Sequence, residues 1–190
     1  MPIIGLTGPA AAGKSEVARL LKRRGAFVIE ADQVAHTLYN TQSPVWHELV
    51  RVFGSRILMR GGKINRKRLG EIVFADRGKL KQLNAIAHPA LKASIVQQLE
   101  TRDPRLETVV INAAVLKEIG LLDQVDKVWV VIAPKEMRLK RLVKSGFSKE
   151  EALRRINAQP SQAEYLKIAD VVIKNEGTLK QLNAKVQACL

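Results

Sequence analysis

Gly8, Gly13, Lys14 and Ser15 stand at the spacing G-x-x-x-x-G-K-[ST], in the run Gly8-Pro9-Ala10-Ala11-Ala12-Gly13-Lys14-Ser15. Four residues between the glycines let the chain wrap around a phosphate with its backbone N–H groups turned inward, and a helix opening at the end of the run adds its positive N-terminal dipole. Lys14 then has reach to the β- and γ-phosphates of a nucleotide, and Ser15 offers its hydroxyl to Mg2+. Asp32 follows the apolar run Phe27-Val28-Ile29. A carboxylate there could take the proton of an attacking hydroxyl, position Mg2+, or simply cap a helix starting at Gln33. Arg138, Arg141, Arg154 and Arg155 fall on two helical patterns that could close over a nucleotide and neutralise charge on a transferring group. His88 precedes Pro89, which predicts an extended or turn position in front of a helix rather than a helix interior.

The elements that must position these residues alternate. Ile3-Ile4-Gly5-Leu6-Thr7 reads as a strand, Ser15 to Arg24 as a helix with Val17, Leu20 and Leu21 on one face, and Phe27 to Ile29 as a second strand after Gly25 stops the helix. A strand–helix–strand connection implies a parallel sheet. Between about residues 41 and 104 the pattern becomes helical and rich in Lys and Arg, over Val45–Phe53, Arg66–Phe74, Lys79–Ala87 and Pro89–Glu100, with Gly61-Gly62 as a turn. Strand patterns return at Thr108–Ile111, Lys127–Ile132 and Val171–Ile173, whose β-branched runs suit strands covered on both faces. Helical patterns at Glu136–Lys144 and Lys149–Ala158 carry the four arginines. The expected fold is α/β, a P-loop three-layer α/β/α architecture with a five-stranded parallel sheet. Residues 1–40, 105–135 and 168–190 form its core, 41–104 a helical insertion and 136–167 a helical lid.

Composition narrows the partners. Thirty-two Lys+Arg against eighteen Asp+Glu leave a formal charge of +14, an excess that attracts polyanions. Aromatic residues make up 4% of the chain, which argues against a single-strand binder built on base-stacking platforms. No run approaches the roughly 20 apolar residues of a membrane-spanning helix. The one cysteine, Cys189, can build neither an internal disulfide nor a multi-thiolate metal site. A cytoplasmic protein without membrane or nucleic-acid partners, monomeric or a small homo-oligomer, is expected.

Taken together these residues resemble the dephospho-CoA kinase family. The likeness runs from Gly5-Leu6-Thr7-Gly8 and Gly13-Lys14-Ser15 through Ile29-Glu30-Ala31-Asp32-Gln33-Val34-Ala35, similar to the family's D-A-D-x-x-A-R. It continues with Phe53-Gly54, Gly62, Ile64 and Arg66, then Val73-Phe74 and His88-Pro89. Near the C-terminus it takes in Arg141-Leu142, Arg155-Ile156 with Gln159, and Ala169-Asp170 with Ile173 and Asn175. The resemblance implies transfer of the γ-phosphate of ATP to the ribose 3′-hydroxyl of dephospho-CoA, the final step of coenzyme A synthesis, with ATP and Mg2+ bound. It implies Asp32, Lys14 and Arg141 as catalytic residues and Gly8, Ala11, Ala12, Gly13, Lys14, Ser15, Glu16 and Arg155 on the nucleotide. Asp32, Arg66, His88 and Glu118 would meet the acceptor, and Ser15 the metal.

Several positions depart from the family's pattern. Ala11, Ala12 and Glu16 stand where Gly, Ser and Thr are usual, His36 replaces an arginine, and Tyr165 a lysine. Asn112-Ala113-Ala114-Val115-Leu116-Lys117-Glu118 lacks the leading carboxylate, the proline and the phenylalanine of the family's segment. Asn112 carries no negative charge for a Mg2+–water shell, and Asp32 or Glu118 are candidates to supply it. Two other readings fit the phosphate loop: a nucleoside or nucleotide kinase with a different acceptor, and a basic, non-catalytic P-loop protein that binds nucleic acid.

Overall fold

The computed structural model describes residues 2–190. Five strands, β1 (Ile3–Thr7), β2 (Phe27–Glu30), β3 (Val109–Asn112), β4 (Lys127–Ile132) and β5 (Val171–Lys174), form one sheet in the order β2-β3-β1-β4-β5, parallel throughout. The inner strands β3 and β4 are buried along almost their whole length, which is why their sequences are unbroken apolar runs instead of alternating ones. The chain is the expected three-layer P-loop α/β fold.

Nine α-helices accompany the sheet among the described residues. They are α1 (Lys14–Lys22), α2 (Ala31–Leu38), α3 (Pro44–Phe53), α4 (Arg66–Phe74), α5 (Arg77–Glu100), α6 (Lys135–Lys144), α7 (Lys149–Asn157), α8 (Gln162–Leu166) and α9 (Leu179–Gln187). Two compact units divide the chain: residues up to Glu30 together with Thr101–Leu190, and Ala31–Glu100.

In the sheet unit, α1 buries Val17, Ala18, Leu20 and Leu21 in one core with Leu6, Val110 and Trp129, and α9 adds Leu182 and Val186 to it. Each buried aliphatic side chain of this kind contributes about 1.5–3 kcal/mol. The last three helices start on reciprocal caps, Ser148 with Glu151, Ser161 with Glu164 and Thr178 with Gln181, each satisfying two N–H groups that a helix end leaves open.

The helical unit has its own core around Leu49, Phe53, Ile57, Leu69 and Val73. Ser43 caps α3 through the Trp46 N–H with Pro44 as first helical residue. Gly61 and Gly62, both at positive φ, turn the chain ahead of α4. One expectation fails here. His88 does not sit in a turn before a new helix: α5 runs unbroken over 24 residues with Pro89 inside it. Proline removes one backbone hydrogen bond and clashes with the preceding turn. Ala87, Leu91, Ile95 and Leu99, spaced four apart and all buried, nonetheless hold the segment helical through the interruption.

Candidate active site

The phosphate loop is built by close approach. Gly8, at φ +137°, has no room for a side chain because a Cβ would strike the carbonyl oxygen of Val131 on β4; Gly13, at φ +107°, would drive one into the Asn175 amide. Ala11 takes the left-handed region, at φ 57°, with its methyl in place. Ala12 is fully buried and belongs to the sheet core, so its methyl points away from the loop's mouth. Within the loop the Ala12 N–H donates to the Pro9 carbonyl. Lys14 Nζ spans the loop, donating to the carbonyls of Gly8 at 2.8 Å and Pro9 at 3.2 Å. Gly13 caps α1 without any side-chain hydrogen bond, which leaves the helix's first amides and its dipole for an anion. Ser15 lies in that first turn, and the Glu16 carboxylate pairs with Arg19 at 2.6 Å.

Three side chains from later in the chain brace the loop. Arg141, in the last turn of α6, donates through Nη1 to the carbonyls of Ala11 (3.0 Å) and Ala12 (3.1 Å), and through Nη2 to that of Asn175 (3.2 Å). Asn175 Nδ2 also donates to Ala12 O, at 2.7 Å and out of contact with solvent. Gln159 accepts from the Ala10 N–H at 2.6 Å. Arg155 places its guanidinium carbon 4.3 Å from the Phe147 ring centre, and partial burial lowers its pKa.

At the C-terminal ends of β2 and β3, Glu30 and Asn112 are register partners, and Asn112 Nδ2 donates to Glu30 Oε2 at 2.7 Å. Beyond β3, the Ala114 carbonyl receives both the Tyr165 hydroxyl (2.9 Å) and the Thr7 hydroxyl (3.3 Å). Burial, and secondarily the Glu118 charge, push the Tyr165 pKa far above its usual value, so its hydroxyl is a permanent donor. Glu118 lines a cleft with Thr7, Lys117 and Tyr165.

The helical unit carries a cavity of about 260 Å³ lined by Asp32, His36, Tyr39 and Arg66 and by apolar residues that include Leu69 and Phe74. Asp32 is inside the first turn of α2, which begins at Ala31, so it does not cap a helix at Gln33. Arg66 donates to His36 Nε2. Burial and the Arg66 charge lower the His36 pKa against an opposing pull from Asp32, which keeps the ring neutral and able to accept. Burial, and then the Asp32 carboxylate, raise the pKa of Tyr39. Asp32 and Arg66 are thus brought together, whereas His88 sits midway along α5.

The sequence signals of Gln159 and Asn175 lay in segments that resemble the family, but their hydrogen bonds to the loop could not be read from them. Glu30 stood in the motif that resembles D-A-D-x-x-A-R and Tyr165, within the expected lid, stood out only as a replacement for lysine; neither signal showed the hydrogen bonds they make. Ser15, Glu30 and Asn112 offer only oxygen donors of the kind a hard divalent cation takes, and no group of three or more His, Cys, Asp or Glu is gathered as a metal cage among the described residues. Magnesium suits such a setting, since it is held by few protein ligands and by substrate phosphates.

A parallel α/β sheet whose first strand feeds a lysine-bearing phosphate loop and an uncapped helix N-terminus defines a P-loop kinase. The family model described as dephospho-CoA kinase matches residues 2–181. The dephospho-CoA kinase of Carboxydothermus hydrogenoformans is 40% identical over all of this chain and 93% of its own. That of Symbiobacterium thermophilum is 44% identical over 99% of this chain and 80% of its own. The solved dephospho-CoA kinase from Campylobacter jejuni superposes with a TM-score of 0.70 at 29% identity, covering 98% of this chain and 94% of that one. The chain belongs to the dephospho-CoA kinase family.

Proposed function

We propose that this protein transfers the γ-phosphate of ATP to the ribose 3′-hydroxyl of dephospho-CoA, giving CoA and ADP. The observation that carries the reading is the Gly8–Ser15 loop, with Lys14 and the open N-terminus of α1, in a chain that matches the dephospho-CoA kinase family from residue 2 to residue 181. The loop amides and Lys14 bind the nucleotide's phosphates, and Lys14 exchanges its carbonyl partners for phosphate oxygens. Asp32 accepts the proton of the attacking hydroxyl, and Arg66, beside it in the same cavity, binds an acceptor phosphate. Arg141 acts by fixing the loop's carbonyls, and Arg155 adds positive charge on the nucleotide side. Mg2+, with Ser15 among its ligands, neutralises charge on the phosphates when bound.

The remaining assignments follow from this reading. Residues 41–104 form the acceptor-binding insertion and 136–167 the lid, with His88 and Glu118 on the acceptor side. The protein works in the cytoplasm as a monomer or small homo-oligomer, and its charge of +14 draws in two anionic substrates. Product analysis tests the proposal. Protein supplied with Mg-ATP and a panel of nucleoside alcohols should phosphorylate dephospho-CoA at its 3′ position in preference to the rest. Preference for another acceptor, or salt-sensitive nucleic-acid binding without any phosphorylation, would overturn it.

A further inference from the structure

Four arginines stand on α6 and α7, and three of them have a partner or face solvent. Arg141 grips the carbonyls of Ala11, Ala12 and Asn175. Arg155 lies over the Phe147 ring, and Arg154 is exposed. Arg138 is different. It is 7% exposed, its Nε has no hydrogen-bond partner, and its guanidinium makes neither a hydrogen bond nor an ion pair among the described residues.

Arginine does not escape burial by losing its proton. Burial works against the Arg138 charge, and the group that acts in its favour is Tyr165. That phenol is itself buried and held neutral, with its hydroxyl hydrogen given to the Ala114 carbonyl. Arg138 is therefore a desolvated cation with its fork of N–H groups unused and no carboxylate paired to it, an arrangement that costs stability. Unpaired buried polar groups of this kind mark places where a ligand or ion completes the bonding.

Location narrows the ligand. Arg138 is three residues before Arg141 on α6, hence on the same face and one turn nearer the end of β4. Its other polar neighbour, Tyr165, lines a cleft with Thr7 and Glu118. Thr7 ends β1 immediately before Gly8, so Arg138 stands where the phosphate loop meets this cleft. The loop amides and Lys14 hold a nucleotide from the α1 side, and the last phosphoryl group of a triphosphate is the anion that extends past them.

We propose that Arg138 receives the terminal phosphoryl group of the nucleotide, the one that ATP carries and ADP lacks. Its planar fork offers parallel N–H groups to two oxygens of that phosphoryl group, and it thereby separates substrate from product. The inference rests on the kinase reading above and deepens it with a residue which that reading leaves unused.

The test uses the full chain with Arg138→Met, of similar reach and no charge, and Arg138→Lys, which keeps the charge without the fork. Titration calorimetry in Mg2+ measures a non-hydrolysable ATP analogue, ADP and dephospho-CoA separately. Arg138→Met should weaken the analogue by about 10–100-fold, the strength of hydrogen bonds to a charged group, and leave ADP and dephospho-CoA as in the parent. Arg138→Lys should lie between the two. In urea unfolding without ligand, Arg138→Met should be more stable than the parent, because an unpaired buried charge is removed; an arginine with a structural role gives the opposite sign. Unchanged affinity for the analogue in both variants overturns the inference. So does an equal loss for ADP, a loss confined to dephospho-CoA, or a ligand-free Arg138→Met less stable than the parent. A parent protein that binds neither ADP nor the analogue contradicts the kinase reading itself, whereas a parent that binds both and is matched by the variants removes only the role of Arg138.

Discussion

The Asn175 amide donates to the Ala12 carbonyl from within the space that a side chain on residue 13 would occupy. Residue 175 lies just beyond the last strand of the sheet, yet it sets both the identity of residue 13 and the shape of the phosphate loop. Gly13→Ala meets two penalties, a methyl against Asn175 and a positive φ that L-residues avoid at a cost of about 1–2 kcal/mol. It should destabilise the fold and abolish measurable nucleotide binding. Gly13→Ala/Asn175→Ala should recover part of the stability, because only the collision is removed. Strictly additive losses in urea unfolding would contradict the clamp.

Ala11 occupies the left-handed region at φ 57°, and Arg141 holds its carbonyl there. Ala11→Gly relieves about 1–2 kcal/mol of strain and gives back about 0.4–1 kcal/mol through the unfolded chain's greater freedom. The expected outcome is a net gain of between about 0 and about 1.6 kcal/mol, the difference of these two effects. A lower midpoint in chemical denaturation would show that the alanine is not strained.

Much of this arrangement was legible in the sequence wherever the signal is local. The strand, loop and helix over Ile3–Lys22 follow from an apolar run, two glycines and an amphipathic stripe, all within one segment. The continuity of α5 was not legible, because Pro89 sends a strong local message while the buried Ala87–Leu99 seam that overrides it depends on partners distant in the chain. Short α8, with its Ser161–Glu164 cap, and α9 were passed over between stronger patterns. The Glu30–Asn112 pair could not be found without strand order, since 82 residues separate the two and only the β2–β3 register brings them together. Arg141 was conspicuous by its type; that it grips loop carbonyls depends on how α6 packs.

The His36–Arg66 contact carries a pH dependence. Burial and Arg66 lower the folded-state pKa of His36 below its ordinary 6.5. The neutral ring therefore accepts from Arg66 above that value, and the interaction is lost as pH falls through the lower folded pKa. As the pH falls below 6.5 and through that lowered pKa, the KM for the acceptor should rise by roughly tenfold, the worth of one hydrogen bond to a charged group. His36→Gln retains an acceptor that does not titrate, so its KM should be flat over the same range. An unchanged acid limb in that variant would assign the effect elsewhere.

Tyr165 is 3% exposed and gives its hydroxyl hydrogen to Ala114 O at 2.9 Å. Tyr165→Phe leaves that carbonyl with the longer bond from Thr7 and should cost about 1 kcal/mol in urea unfolding. Combining it with Thr7→Val strips the carbonyl of both donors, and the combined loss should exceed the sum of the single ones. Additive behaviour would mean that the two hydroxyls do not share this acceptor in solution.

The most direct test is ADP release from Mg-ATP, with and without dephospho-CoA, in the parent protein and in Asp32→Asn. Release that requires dephospho-CoA, and a kcat lowered by about 10²–10⁴-fold in Asp32→Asn with both substrates still bound, is the predicted result. Release indifferent to dephospho-CoA, or full turnover without the Asp32 carboxylate, would contradict it.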